Sequence, residues 1–166
     1  MLSIEKVEKN QNIEYAAFFD DAGTFNLVSN WIDDNPYILT CGDAGLILLN
    51  KTGVLIEIEL LFANPIKSID YPIIDCKNIV EGLPFFNINK IEKNLECPIL
   101  FIKKEERICF LRFANKNKHV DQIVLHNNVR FLLNDEVLIG IEIAHIIFDA
   151  NSLQQTLGLT KNKANF

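Results

Sequence analysis

Apolar and polar positions alternate with a period of two over long stretches of the middle and end of this chain. In "AGLILLNKTGVLIEIELLF" (residues 44 to 62) two apolar runs flank Asn50, Lys51, Thr52 and Gly53. Asn50 suits the opening of a type I turn, and Gly53 can take the left-handed conformation that returns the chain as a bulged hairpin. The returning run sets Val54, Ile56, Ile58 and Leu60 on one face and Leu55, Glu57, Glu59 and Leu61 on the other. Acids on one side of a period-two run indicate a strand with a wet face. A second hairpin, "ILFIKKEERICFLRF" (99 to 113), turns through the charged stretch 103 to 107.

The third hairpin is "VRFLLNDEVLIGIEIAH" (129 to 145), turning at 134 to 136. Val129, Phe131 and Leu133 alternate with Arg130 and Leu132. Val137, Ile139, Ile141 and Ile143 then line up opposite Leu138, Gly140, Glu142 and Ala144. An ionised carboxylate left unpaired in a core would be costly or would shift its pKa, so Glu142 is read as standing on a wet face, toward solvent or a partner. Gly140 weakens a strand unless something approaches closely or the strand bends there, and a bend is expected. Val54, Ile56, Ile58, Phe131, Ile139 and Ile141 are the predicted buried set.

Helix signals are fewer. "TFNLVSNWIDDN" (24 to 35) has Phe25, Val28, Trp31 and Ile32 at helical spacing, with Thr24 placed to cap it. "FDANSLQQTLGLT" (148 to 160) offers Asp149 or Asn151 as a cap before Leu153 and Leu157, and "NINKIEKNLE" (87 to 96) has room for a turn or two. The sum is an α+β fold: a single domain over residues 1 to 166, dominated by an antiparallel β-sheet of hairpins with a few short helices. No repeat, Ser/Pro-rich linker or composition break divides the chain, and its 166 residues suffice for a real core.

Composition changes the picture mainly by exclusion. Apolar residues reach 49%, which argues against disorder, yet charge interrupts every apolar run well before the roughly 20 residues a spanning helix needs. The start, "MLSIEKVEKNQNIEY", lacks the pattern of a secretory signal, so the expected location is the cytoplasm, with no membrane partner. Cys41, Cys76, Cys97 and Cys109 are scattered without a C-x-x-C pair, and free thiols are expected, Cys109 as a small core residue. His119, His126 and His145 show no metal-ligand spacing, so no metal or other cofactor is expected.

Catalytic arrangements fail in the same way. The adjacent pairs Asp20-Asp21 and Asp33-Asp34 do not share a face on a helix or a strand, "CGDAG" lacks the lysine of a phosphate loop, and no catalytic residue is assigned. The stretch from Lys103 to Lys118 carries six basic and two acidic residues with Phe110 and Phe113 among them, a pattern that can serve nucleic acid. A formal net charge of −6 opposes that use, and an edge strand protected by lysines is the better account.

Charge segregation is more informative. Residues 1 to 62 hold 3 basic and 10 acidic side chains, whereas residues 63 to 133 hold 11 basic and 8 acidic. Acidic surface steers basic partners. The acids singled out for partner binding are Asp20, Asp21, Asp33, Asp34, Glu57 and Glu59, with the sole tryptophan, Trp31, as an aromatic anchor beside Asp33 and Asp34. A small, acidic, β-rich chain rich in Asn, Lys and Ile and without a catalytic set resembles the immunity proteins of bacterial contact-dependent growth inhibition systems. That resemblance is one of type and carries no motif. It implies a cytoplasmic, non-enzymatic protein that blocks a cognate toxin, such as a nuclease with a basic cleft. Separately, "VRFLLNDEVLIGIEI" is similar to a strand–turn–strand of small uncharacterised bacterial proteins, which names no activity. The alternatives kept open are a β-rich adaptor domain and a small hydrolase.

Overall fold

The computed structural model describes residues 1–61, 63–66, 71–92, 94–113 and 119–148. In chain order the strands are β1 (Ile4–Glu8), β2 (Tyr15–Phe19), β3 (Phe25–Ser29), β4 (Tyr37–Cys41), β5 (Gly45–Leu49), β6 (Leu55–Leu60) and β7 (Ile79–Glu81). They continue as β8 (Leu83–Phe86), β9 (Asn94–Leu95), β10 (Ile99–Lys103), β11 (Ile108–Arg112), β12 (Gln122–His126), β13 (Val129–Asn134) and β14 (Val137–Ala144). One six-stranded sheet runs β2-β3-β6-β5-β4-β9 and a second runs β10-β11-β14-β13-β12-β7, while β1 and β8 form a two-stranded sheet. All pairings are antiparallel except β4 with β9 and β12 with β7, both at sheet edges.

A single cluster of buried residues draws on all three sheets. Phe25, Leu27, Ile47, Leu49 and Ile58 of the first sheet join Leu111, Val124, Phe131, Ile141 and Ile143 of the second, with Leu83 and Phe86 from the small sheet. The two large sheets thus bury their inner faces together, as in a sandwich. Polar ties run along one side: Tyr15 Oη donates to the Leu55 carbonyl at 2.9 Å, and His126 Nε2 meets the Ile13 carbonyl at 2.7 Å.

The three hairpins form where the turn chemistry places them. Gly53 has φ +88° and its N–H donates to the Asn50 carbonyl, while Asn50 Oδ1 accepts from the N–H groups of Thr52 and Val54. Asp135 and Glu136 both take positive φ between the paired residues Asn134 and Val137, the tight two-residue turn that suits strand twist. Arg107, at φ +54°, closes the β10–β11 loop.

The α+β expectation is wrong: this is an almost all-β protein. Among the described residues the one helical element is a single 3-10 turn, Ile88–Lys90, inside the stretch expected to hold a turn or two. Residues 24–35 do not form a helix. Phe25 and Leu27 alternate with Asn26 and Val28 as well as they fit a helical spacing, and flanking strands β2 and β6 supply the backbone partners that settle the choice. Thr24 caps nothing; its N–H donates to Asp20 Oδ1 in the β2–β3 turn. The helix expected in the final stretch falls on residues from 149 onward, outside the described residues.

Two bulges correct the face assignments. Leu49 pairs with Leu55 but Leu48 pairs with Glu57, leaving Ile56 as the extra residue. Leu55 therefore enters the core and Ile56 is only half-buried, the reverse of the simple alternation. In the same way Leu133 pairs with Leu138 and Leu132 with Gly140, so Ile139 is extra. It is buried, but on the outer face of the second sheet with Phe101, Phe110 and Leu132, whereas Leu138 joins the main core. Val54, Ile58, Phe131 and Ile141 are buried as predicted.

Candidate functional site

The register of the first sheet places two rows of side chains on its outer face. One row crosses Phe18, Asn26, Glu59, Leu46 and Thr40; the next crosses Ala16, Val28, Glu57, Leu48 and Ile38. Glu57 and Glu59 stand at the centre, with Leu46 and Leu48 on one side and Asn26 and Val28 on the other. Strand spacing of about 4.8 Å puts each neighbour within side-chain reach. Burial, and then the charge of Glu59, raise the pKa of Glu57 above its ordinary value. Neither carboxylate has a hydrogen-bond or ion-pair partner among the described residues.

The face continues into exposed apolar residues at one end. Val28 pairs with Glu57, so β3 leaves the sheet at the Glu57 end, and β4 enters there. The connecting loop and the first residues of β4 expose Trp31, Ile32 (88%), Tyr37 and Ile38 (60%). Trp31 is thus a loop residue and not part of a helix face. Of these, Ile38 continues the half-buried outer face and Trp31 and Ile32 lie in the adjoining loop, whereas Tyr37 pairs with Leu49 in the core-facing row at the sheet edge; large apolar side chains exposed this close together suit a contact surface.

The acids foreseen from sequence are distributed around this sheet. Asp33 and Asp34 lie in the loop at the Glu57 end. Asp33 is committed locally, accepting from the N–H of Asn35 at 3.0 Å and from that of Lys51 at 3.3 Å, while Asp34 is exposed. Asp20 and Asp21 sit in the β2–β3 turn at the Glu59 end, where they line an open cleft of about 390 Å³ with Lys104 and Phe148. Asp20 Oδ1 holds the turn through Thr24. Only Glu57 and Glu59 share one stretch of sheet face.

Sequence reading missed Val28, Leu46, Leu48 and Ile38 as members of this face. A signal existed: "LILL" of β5 is apolar at every position, the pattern of a strand covered on both faces, yet only Ile47 and Leu49 point into the core.

Glu142, by contrast, is not on a wet face. Its side chain is 14% exposed; Arg130 Nη1 donates to its Oε1 at 2.6 Å and Tyr71 Oη to its Oε2 at 3.0 Å. Burial, then Glu142, raise the Tyr71 pKa, which keeps the phenol a donor. Gly140, beside it, carries the Phe110 ring, and a Cβ there would run into that ring. The strand bulges at Ile139 as well, so the expected irregularity and a close approach coexist.

All four cysteines are free, and burial, then Cys97, push the Cys41 thiol up to about 12. No group of three or more metal-ligating side chains converges among the described residues. No described helix is long and apolar enough to cross a membrane. Comparison with known protein families finds none that matches the chain, and comparison with curated proteins finds no significant relative.

Proposed function

We propose that this chain is an immunity-type protein that binds a cognate toxin domain and blocks it, using the open face of the first sheet. The observation that carries the reading is the pair of cross-strand rows: two carboxylates without an ion-pair partner among the described residues, framed by Leu46, Leu48 and Val28 and leading into Ile38, with Trp31 and Ile32 exposed in the adjoining loop. Such a face suits a basic partner with apolar flanks. The apolar rim supplies the driving force and the acids supply steering and register.

The test is growth protection. The chain is co-expressed with the products of the genes that neighbour its own, screened first for toxicity to the host, as wild type and as Leu48→Arg, Trp31→Ala and Glu57→Gln/Glu59→Gln, each checked for folding by circular dichroism. The expected result is loss of protection and of co-purification in these variants but not in Lys77→Ala, outside this face. Full protection by every folded variant would mean that the face is not the docking surface.

A further inference from the structure

We infer that the free edge of the second sheet, at β7, is a strand-addition site for an extended segment of a partner protein, one that carries an apolar and a basic side chain two residues apart. This surface is separate from the face of the first sheet, and the inference does not depend on the immunity reading.

The backbone of β7 sets the argument. Ile123 N–H donates to the Asn78 carbonyl and Gly82 N–H to the Leu125 carbonyl, and between these bonds Ile79, Val80 and Glu81 run parallel to Ile123, Val124 and Leu125. The alternation of a strand then turns the N–H and C=O of Val80 toward β12, and those of Ile79 and Glu81 away from the sheet. These four outward groups have no hydrogen-bond partner among the described residues.

Other edges of the large sheets are closed. Ile147 lies along β2, accepting from the N–H of Phe19 and donating to the Ala17 carbonyl. Ile66 lies along β10 in the same way, accepting from the N–H of Ile102 and donating to the Leu100 carbonyl. The two residues of β9 close β4. Each closure is a short extended segment from a distant part of the chain, and β7 has none among the described residues. An edge left open in this way is a template for another strand.

Side chains specify what kind of strand fits. The register sets Ile79 in one row with Ile123 and Leu132, and Glu81 in the next with Leu125 and Arg130, both on the outer face. Ile79 is 50% exposed and Glu81 is exposed. An incoming strand places one side chain beside Ile79 and its neighbour two residues away beside Glu81, so an apolar and a basic residue match. Where β7 and β12 end, a cleft of about 400 Å³ opens beside Glu81, lined also by Lys9, Gln11, His126 and Asn127. It leaves room for the added segment to run on. A second copy of the chain fits poorly: antiparallel β7–β7 pairing sets Ile79 opposite Glu81 twice. It also joins only three residues a side, where a stable interface needs about 800 Å² from each partner.

The probe is a short threonine-based peptide, blocked at both ends, with one valine and one arginine two residues apart. Both orders are used, so that either strand direction is met. Counterparts carry glutamate in place of arginine, or N-methyl groups on the backbone amides. Amide hydrogen exchange of the full chain is read by nuclear magnetic resonance. In the free chain, exchange is expected to be slow at Val80 and fast at Ile79 and Glu81, and the arginine peptide should slow both of the latter. The N-methylated peptide, without main-chain donors, should not bind. Ile79→Pro removes one outward N–H while keeping the Val80 bonds to β12, and should weaken binding about fivefold to tenfold. Where the proline variant does not fold, Glu81→Lys decides: it should weaken the arginine peptide and strengthen the glutamate peptide, each by about threefold. Equal binding of methylated and unmodified peptides would overturn the inference. So would exchange in the free monomer as slow at Ile79 and Glu81 as at Val80, or no protection of those two amides by peptide. Their protection through concentration-dependent dimerisation, measured by sedimentation, would overturn it in favour of a second copy.

Discussion

The two large sheets share one core but treat their outer faces differently. On the second sheet, Ile66, Tyr71 and Ile74 pack over Phe101, Phe110, Leu132 and Ile139, and the carboxylate in the middle of that face is matched by Arg130 and Tyr71. Cations also rest on rings there: Lys103 Nζ lies 4.8 Å from the Tyr71 centroid and the Arg112 guanidinium 4.9 Å from that of Phe101. On the first sheet, Glu57 and Glu59 occupy the equivalent central place with no cation beside them among the described residues, and Leu46, Leu48, Val28 and Ile38 are only partly shielded. One outer-face carboxylate is satisfied internally, whereas two others have no partner among the described residues. The difference separates a face whose carboxylate is matched from within the chain from the face on which the proposed binding would occur.

The largest effect that would test this contrast is steric. Gly140→Val drives a side chain into the Phe110 ring and should cost about 1–3 kcal/mol, whereas Ala16→Val on the open face should change stability by less than about 0.5 kcal/mol. Urea denaturation of both variants checks the pair; equal losses would erase the distinction between the faces. Next comes the ion pair. Arg130→Met leaves Glu142 without its cation and should destabilise by about 1–3 kcal/mol, and adding Glu142→Gln should recover part of that. A double-mutant cycle with no coupling would show that the covered face does not depend on this match.

A third effect belongs to binding alone. Trp31→Ala and Asp34→Asn should leave stability within about 0.5 kcal/mol, since both side chains are exposed, while the proposed immunity function predicts that Trp31→Ala weakens binding of the toxin by about 2 kcal/mol. Calorimetry of the complex and of the free variant separates the two. Asp33→Asn is less clean because Asp33 also holds the loop through Asn35 and Lys51.

The smallest expected effect is electrostatic. Burial and Glu59 raise the folded-state pKa of Glu57, so the folded chain binds a proton more readily there than the unfolded chain. This group's contribution to stability therefore falls as pH rises from the unfolded pKa through the raised folded one. Glu57→Gln should accordingly raise Tm at neutral pH by no more than about 3 °C, since solvent screens a half-exposed site. The gain should vanish at a pH below both values. A lower Tm at neutral pH would mean that a cation already neutralises the pair.

Much of the sheet was legible from the chain itself, because the physics involved is local. Gly53, Asn50 and the Asn134-to-Val137 turn fix hairpins through backbone conformation and short-range hydrogen bonds, and period-two patterning assigns Val54, Ile58, Phe131 and Ile141 to the interior. Glu57 and Glu59 were correctly placed opposite the core residues of their strand. The sequence could not decide between helix and strand over residues 24–35, since Phe25, Leu27 and Val28 satisfy both periods. Pairing with β2 and β6, partners distant along the chain, made it a strand.

Tertiary structure alone decided the rest. Bulges at Ile56 and Ile139 shift the alternation by one residue, and they arise from how neighbouring strands register, which no single strand encodes. The fate of each carboxylate was equally non-local: Glu142 and Glu57 both look like wet-face acids in their own strands. Tyr71, from 71 positions away, closes over one of them, while nothing among the described residues does so for the other. Strand pattern is written in neighbouring residues, whereas a carboxylate's solvation depends on which distant segment crosses its face.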